Sequence, residues 1–118
     1  RLFPWGSFFD PTWANTRESS IEQLLQGVGE QTNDVSPYGV WGLAGNVMDW
    51  TSEPYQPRVR NSTHRIQPLS GQESSQVVAR GGAWSLFHGG SRAASRWSMP
   101  VEQSTPMLGF RLVYSLNR

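Results

Sequence analysis

The stretch that most constrains the fold is GLAGNVMDW, residues 42–50. It contains two glycines three residues apart, Gly42 and Gly45, followed by Asn46 and then by Asp49 directly before a tryptophan. A glycine inside a strand packs no side chain and adds chain entropy, and inside a helix it costs about 1 kcal/mol relative to alanine. Neither regular element suits this stretch. It predicts a turn with close backbone approaches, next to one amide side chain and one carboxylate.

The rest of the chain predicts little helix and several short strands. Only ESSIEQLLQ, residues 18–26, carries helix formers at helical spacing, with Ser19 as the cap and Gly27 as the stop. A polar loop runs from Glu53 to Gln76. The six tryptophans favour an irregular core built around large rings. The predicted strands are VVAR (77–80), RAASRW (92–97) and LGFRLVYS (108–115), with VMDWTS (47–52) as a weaker candidate.

Composition excludes several classes of function. A chain of 118 residues is one domain or part of one, and a net charge of +1 gives no electrostatic case for nucleic acid or an anionic membrane. No apolar run approaches the roughly 20 residues that a membrane span needs. The absence of cysteine removes disulfides, thiolate metal sites and cysteine nucleophiles, and it leaves the compartment open. We therefore expect no nucleic-acid partner and no membrane span.

Four motifs occur in one order along the chain: FPWG at 3–6, SPYGVWGLAGNVMDW at 36–50, ARGGAW at 79–84 and GFRLV at 109–113. Together they resemble the formylglycine-generating-enzyme (sulfatase-modifying factor) family, whose members share a C-type-lectin-like fold. The resemblance implies an α+β, loop-rich domain with short antiparallel strands. It matches the C-terminal part of the family domain, so we expect a partner in the N-terminal half, carried by a separate or missing chain.

All ten basic residues are arginine, which suits planar, partly buried pairing. A strand over 92–97 would put Arg92, Ala94 and Arg96 on one face. A strand over GFR would place Phe110 in the core and Arg111 on the opposite face. Buried arginine is costly unless it is paired. We expect four arginines to meet carboxylates or loop carbonyls, as purely structural pairs or as part of a site: Arg80, Arg92, Arg96 and Arg111.

The resemblance also implies structural calcium, a hard cation that takes six to eight oxygens, many of them carbonyls. In the first site the ligands would be the carbonyls of Gly42, Gly45 and Val47 and the carboxylate of Asp49, where the family more usually has Glu. The alternative is a metal-free turn in which Asp49 caps amides or pairs with an arginine. Asn46 would hold the turn through side-chain-to-backbone bonds. A second site would start at Asn15 and the Thr16 carbonyl and continue through Ser20 and Glu22.

Catalysis is not expected. The family's oxidase chemistry depends on two cysteines that follow the RGGSW motif and bind copper, and the corresponding stretch here, SLFHGGSRAASRW, has none. Soft thiolates select Cu(I), and a hydroxyl does not substitute for them. Related members use histidine-rich iron sites, whereas this chain has only His64 and His88, far apart and in no ligand spacing. We therefore expect neither copper nor enzymatic activity.

A non-catalytic binding module is the favoured interpretation. RGGAW and GFRLV frame residues 85–108, and this arrangement is similar to the diversified segment in variable proteins of diversity-generating retroelements. The segment mixes aromatic anchors with small adaptable residues, as binding surfaces do. The alternatives are that Phe87, Trp97 and Met99 are core residues, or that the chain is an oxidoreductase-family or regulatory domain that has lost its catalytic cysteines. The residues predicted to bind a protein or cell-surface ligand are Ser85, Leu86, Phe87, His88, Gly90, Ser95, Trp97, Met99, Gln103, Ser104 and Met107.

Overall fold

The computed structural model describes residues 1–19, 24–55 and 76–116. These ranges contain four strands, which are β1 (Met48–Pro54), β2 (Gln76–Arg80), β3 (Trp97–Pro100) and β4 (Leu108–Gly109), and one 3-10 helix at His88–Ser91. Within them there is no α-helix, so the α component of the predicted α+β class is not seen in this part of the chain. No helix among the described residues is long and apolar enough to cross a membrane.

The four strands form one mixed sheet in the order β3-β2-β1-β4. β2 is central to it and pairs antiparallel with β1, where Arg80 lies opposite Asp49, and antiparallel with β3, where Ala79 lies opposite Trp97. β4 pairs with β1 in parallel, with Gly109 opposite Asp49. The antiparallel expectation therefore holds for three strands, and β4 departs from it.

Burial explains why β1 and β2 form where VMDWTS and VVAR predicted strands, and both predictions are confirmed. Val77, Val78 and Ala79 are consecutive and all buried, which is typical of a strand covered on both faces. β3 instead alternates between half-buried and exposed residues, as a strand with one covered face does. The core cluster consists of Met48, Ala79 and Ala83, against which five partly buried side chains pack: Leu86, Trp97, Met99, Met107 and Leu108.

Two glycines allow the loops to meet backbone to backbone. A Cβ on Gly45 would lie 2.5 Å from the carbonyl oxygen of Asn15, and a Cβ on Gly82 would lie 2.1 Å from that of Ala44. Contacts this short exclude any side chain, so the GLAGN loop is pressed between the Asn15 segment and the RGG turn. The close backbone approach predicted from the sequence is confirmed.

The predicted strand RAASRW is wrong. Residues 92–95 form a turn, closed by the Ser95 amide donating to the Arg92 carbonyl at 2.9 Å, and β3 begins only at Trp97. The Ala93 amide donates to the Leu2 carbonyl at 2.7 Å, which diverts the backbone from a sheet neighbour to the N-terminal segment. Because there is no strand here, the common face predicted for Arg92, Ala94 and Arg96 does not exist.

The predicted strand LGFRLVYS is mostly wrong as well. Only Leu108–Gly109 pairs with β1, and the chain beyond Gly109 has no regular structure up to residue 116. A strand needs a neighbour, and the register to β1 ends at the Asp49–Gly109 pair. Phe110 is consequently 76 % exposed and is not a core residue, which corrects its predicted position. The apolar side chains of residues 112–116 are exposed with it.

The predicted helix over 18–26 is not seen at either of its described ends. Glu18 and Ser19 belong to a turn and residues 24–26 are irregular, while residues 20–23, with the proposed ligands Ser20 and Glu22, lie outside the described residues. Hydrogen bonds explain the turn, because the Ser19 amide donates to the Thr16 carbonyl and Thr16 Oγ1 donates to the Glu18 carboxylate. Most of the predicted 53–76 loop also lies outside the described residues.

Candidate functional site

The GLAGNVMDW loop is organised by one buried carboxylate. Asp34 is 1 % exposed, and its two carboxylate oxygens accept the amides of Leu43 at 3.2 Å, Ala44 at 2.9 Å and Gly45 at 3.1 Å. Burial raises the pKa of Asp34, and the three amides oppose that shift without cancelling it. Asp34 was missed in the sequence, where NDVSP looks like any polar turn.

Asn46 ties the same loop to two other segments. It has a positive φ of 70°, and its Oδ1 accepts the Gln26 amide at 2.9 Å and Asn15 Nδ2 at 3.2 Å. Its own Nδ2 donates to the Gln26 carbonyl at 3.0 Å. The prediction that Asn46 holds the turn through side-chain-to-backbone bonds is confirmed.

Asp49 forms an ion pair with Arg111. Arg111 Nε donates to Asp49 Oδ2 at 2.7 Å, while its two terminal nitrogens donate to the carbonyls of Trp41 and Gly42, each at 3.0 Å. Burial raises the pKa of Asp49, and the charge of Arg111 pulls it back in part. The pairing of Asp49 with an arginine, one of the two alternatives left open by the sequence, is what the structure contains.

The four residues predicted for the first calcium site, Gly42, Gly45, Val47 and Asp49, line one cavity of about 180 Å³ together with Asn15 of the second site, whereas Thr16 does not line it. Arg111 also borders this cavity. Its guanidinium already bonds two of the predicted donors, the Gly42 carbonyl and Asp49, so the first site as arranged here does not fit a divalent ion. The calcium prediction stays a prediction, and it now requires that Arg111 be displaced.

The second predicted site is only partly visible. Asn15 is 1 % exposed and its Oδ1 receives no hydrogen bond within the described ranges. Thr16 is fully buried, and its carbonyl accepts the Ser19 amide at 3.0 Å. Among the described residues no three His, Cys, Asp or Glu side chains group together, and His64 lies outside that part of the chain.

Part of the predicted ligand-binding segment forms an exposed surface at the 3-10 helix. Phe87 is 60 % exposed, with the guanidinium carbon of Arg17 4.5 Å from its ring centroid. The ring of His88 stacks on Phe9 at 4.6 Å, and its Nδ1 lies 2.8 Å from the Glu18 carboxylate. The Glu18 carboxylate also accepts the His88 amide at 3.1 Å, so both chain segments are fixed at this point.

Aromatic rings of the N-terminal segment pack together beside this surface, with Phe3 buried and Phe8 exposed. Phe3 stacks on Trp5 at 5.4 Å and contacts Phe9 at 5.6 Å, while Trp13 meets Trp5 at 5.8 Å and Phe8 at 5.1 Å. We call the set Phe8, Phe9, Arg17, Glu18, Phe87 and His88 the aromatic surface. Its first four members were missed in the sequence, where the ring-rich run FPWGSFFDPTW was a signal for Phe8 and Phe9 and nothing marked Arg17 and Glu18.

The other predicted ligand-binding residues lie elsewhere. Leu86, Trp97, Met99 and Met107 pack against the core cluster, which was the alternative considered for two of them. Three small residues are half-buried: Ser85 donates to the Met107 sulfur, Gly90 lies against the Trp97 ring, and Ser95 donates to the Gly89 carbonyl. Gln103 and Ser104 are exposed between β3 and β4.

Three of the four arginines meet the partners expected of them. Arg96 pairs with Glu53, with side chains 8 % and 20 % exposed, and Arg80 Nη1 donates to the Ser95 carbonyl at 3.0 Å. Arg111 bonds a carboxylate and two carbonyls. The expectation is wrong for Arg92, which the 92–95 turn leaves exposed and without a carboxylate or carbonyl partner among the residues described.

Comparison with known proteins gives the family. The model of the sulfatase-modifying factor enzyme 1-like domain matches residues 1–116. The chain is 27 % identical to the mouse (Mus musculus) inactive C-alpha-formylglycine-generating enzyme 2 over its whole length, which is 38 % of that protein. It is 29 % identical to hercynine oxygenase of Mycolicibacterium smegmatis, with 98 % of this chain and 28 % of the oxygenase covered.

The fold also has a solved neighbour. The structure of PvdO from Pseudomonas aeruginosa superposes with a TM-score of 0.72 at 19 % identity, over 93 % of this chain and 42 % of PvdO. This chain thus spans well under half the length of the relatives it matches. The family match and the shared fold agree, and the chain belongs to the sulfatase-modifying factor enzyme 1-like domain family.

Proposed function

We propose that this chain is a non-catalytic ligand-binding module on a C-type-lectin-like scaffold, and that it binds a protein or cell-surface ligand through the aromatic surface. The observation that carries the proposal is Phe87, which is 60 % exposed yet held in place by Arg17 and by a loop bonded to Glu18. An exposed ring that is already ordered loses little entropy on binding, which is the property of a binding anchor.

The lack of catalysis has separate support. The chain contains no cysteine, and one relative is described as inactive. Other relatives are a hercynine oxygenase and, in Streptomyces coelicolor, a formylglycine-generating enzyme, so a lost oxidoreductase activity is the second candidate. Incubation with a sulfatase-type cysteine peptide, copper and oxygen tests this candidate. We expect no formylglycine product, and product formation would refute the non-catalytic proposal.

The finer proposal is that the segment between RGGAW and GFRLV is diversified, as in variable proteins of diversity-generating retroelements. Phe87, His88, Gln103 and Ser104 are the exposed ones among the predicted variable positions, and the others are half-buried. The genomic test is a near-copy of the 85–108 coding stretch, altered at adenines, beside a reverse transcriptase gene. The absence of such a copy would refute the proposed diversification, but not the proposal that the chain is a binding module.

A direct binding test uses the labelled chain against a panel of intact cells and immobilised surface proteins. Phe87→Ala should weaken any saturable binding by about 30-fold, the effect of removing a central aromatic anchor. Val101→Ala is the control, because Val101 is 50 % exposed but belongs neither to the aromatic surface nor to the predicted ligand-binding residues, and it should bind as the parent does. Equal binding by both variants would refute the assignment of the aromatic surface.

The partner expected in the N-terminal half of the domain remains part of this proposal. Supporting it, Leu112, Val113, Tyr114 and Leu116 are each at least 75 % exposed, an apolar run that a further segment of the domain would cover. Co-expression with the preceding part of the gene tests the idea through amide hydrogen exchange in residues 110–116. Protection there is expected, and unchanged exchange would refute it.

A further inference from the structure

A second cavity, of about 370 Å³, also borders Asp49 and is not part of the aromatic surface. Pro4, Val40 and Leu43 give it apolar walls, and Tyr38 lines it as well. Its volume falls in the range of about 300–1,000 Å³ that is typical of small-ligand sites. The cavity is therefore large enough for a small organic molecule.

Two arginines border this cavity without a counter-ion. Arg80 is half-buried at the end of β2, and its Nη1 donates to the neutral Ser95 carbonyl at 3.0 Å. Arg92 is exposed and has neither a carboxylate nor a carbonyl partner in the described part of the chain. The acidic residue among the described lining residues is Asp49, whose carboxylate is bound by Arg111. The two guanidinium groups thus leave the cavity with an excess of positive charge.

Both arginines are attached to backbone that is fixed. Arg80 lies opposite Asp49 in the β1–β2 register, and Arg92 belongs to the turn that Ala93 anchors to the Leu2 carbonyl. A guanidinium presents a planar fork of N–H donors that matches the oxygens of a carboxylate, sulfate or phosphoryl group. A partly buried charge without a counter-ion is unfavourable, so an anion that meets Arg80 would be stabilised there.

We propose that this cavity binds a small organic oxyanion, with the anionic group between Arg80 and Arg92 and an apolar body against Val40 and Leu43. Carboxylates, sulfates and phosphate esters share this chemistry. Phe87 and His88 do not line the cavity, so this proposal and the proposed ligand surface can fail independently. Because the rim is exposed, affinity should fall as the salt concentration rises.

The experiment is a calorimetric titration at low ionic strength with benzoate, phenyl sulfate, phenyl phosphate and benzyl alcohol. We expect at least one anion to bind and the uncharged benzyl alcohol not to bind. The order of the three affinities identifies the anionic group that the cavity prefers. Arg92→Gln should lower the affinity for the preferred anion by about tenfold or more, as expected for losing a charge-assisted hydrogen bond. Arg92→Lys should recover part of the loss, because it restores the charge without the fork.

The control is Glu102→Gln, which also removes one charge, from an exposed side chain that does not line the cavity, and it should change affinity by less than about twofold. Arg80→Gln is a second test: if circular dichroism shows that this variant folds, it should also bind the preferred anion more weakly than the parent. The proposal is overturned if none of the three anions binds, if benzyl alcohol binds as tightly as the preferred anion, or if Arg92→Gln binds that anion as the parent does.

Discussion

Trp97 and Phe87 look alike in the sequence, yet the structure predicts opposite effects when each is replaced by alanine. Trp97 packs against the Met48–Ala79–Ala83 cluster, and its Nε1 donates to the Gly81 carbonyl at 3.2 Å. A fully buried tryptophan costs about 3–5 kcal/mol on truncation, and the lower end applies to a half-buried ring. With the lost hydrogen bond included, Trp97→Ala should lower the free energy of unfolding by about 3 kcal/mol.

In a domain of this size that loss corresponds to a fall in Tm of about 10 °C. Phe87→Ala is the matched comparison, because its ring is 60 % exposed and its truncation should cost less than about 1 kcal/mol. Thermal and urea unfolding followed by circular dichroism measures both variants. If Phe87→Ala lowered Tm as much as Trp97→Ala, the division of segment 85–107 into core and surface would be refuted.

Two further predictions concern charges. Arg111→Gln should destabilise the fold by about 1–2 kcal/mol, because the half-buried Asp49 loses its cation. Millimolar calcium should raise the Tm of this variant more than it raises the Tm of the parent, because the Gly42 and Asp49 oxygens no longer bond Arg111. If calcium gave neither protein a higher Tm than chelator does, the calcium prediction would be refuted. For Glu18, burial raises the carboxyl pKa, but hydrogen bonds, chiefly from His88, outweigh it and hold the pKa below 4.5. Its stabilising effect should be present above pH 4.5 and be lost as pH falls through the lowered pKa. The Tm of the parent relative to Glu18→Gln should therefore drop on acidification, and parallel pH profiles would contradict this.

The parts of the fold that local pattern determines were predictable. VVAR gives a central strand because three consecutive apolar residues can be buried on both faces, and the glycines of GLAGN and RGG indicate close backbone contacts. RAASRW has the period of a strand but forms a turn, because Ala93 bonds Leu2, a residue 91 positions away that no local pattern reveals. Strand propensity alone was not sufficient at GFRLVYS either, since a strand also requires a neighbour.

The candidate site was predicted less completely for the same reason. Asp49 and Asn46 were found because they lie inside a recognisable motif. Asp34 and Glu18 were missed because a carboxylate that accepts amides from another loop looks like any polar residue in a turn. Leu86, Met99 and Met107 were assigned to a surface because the sequence does not reveal which face of a short segment meets the core cluster.

The bonds around the GLAGNVMDW loop connect it to positions spread over most of the chain, since Asn15, Asp34, Trp84 and Arg111 each hold part of it. Closing such distant contacts early in folding costs much entropy, so this region should become ordered only as the whole domain does. An excised peptide of these nine residues would lack every one of those restraints, and a ligand or an antibody raised against it would meet a different shape.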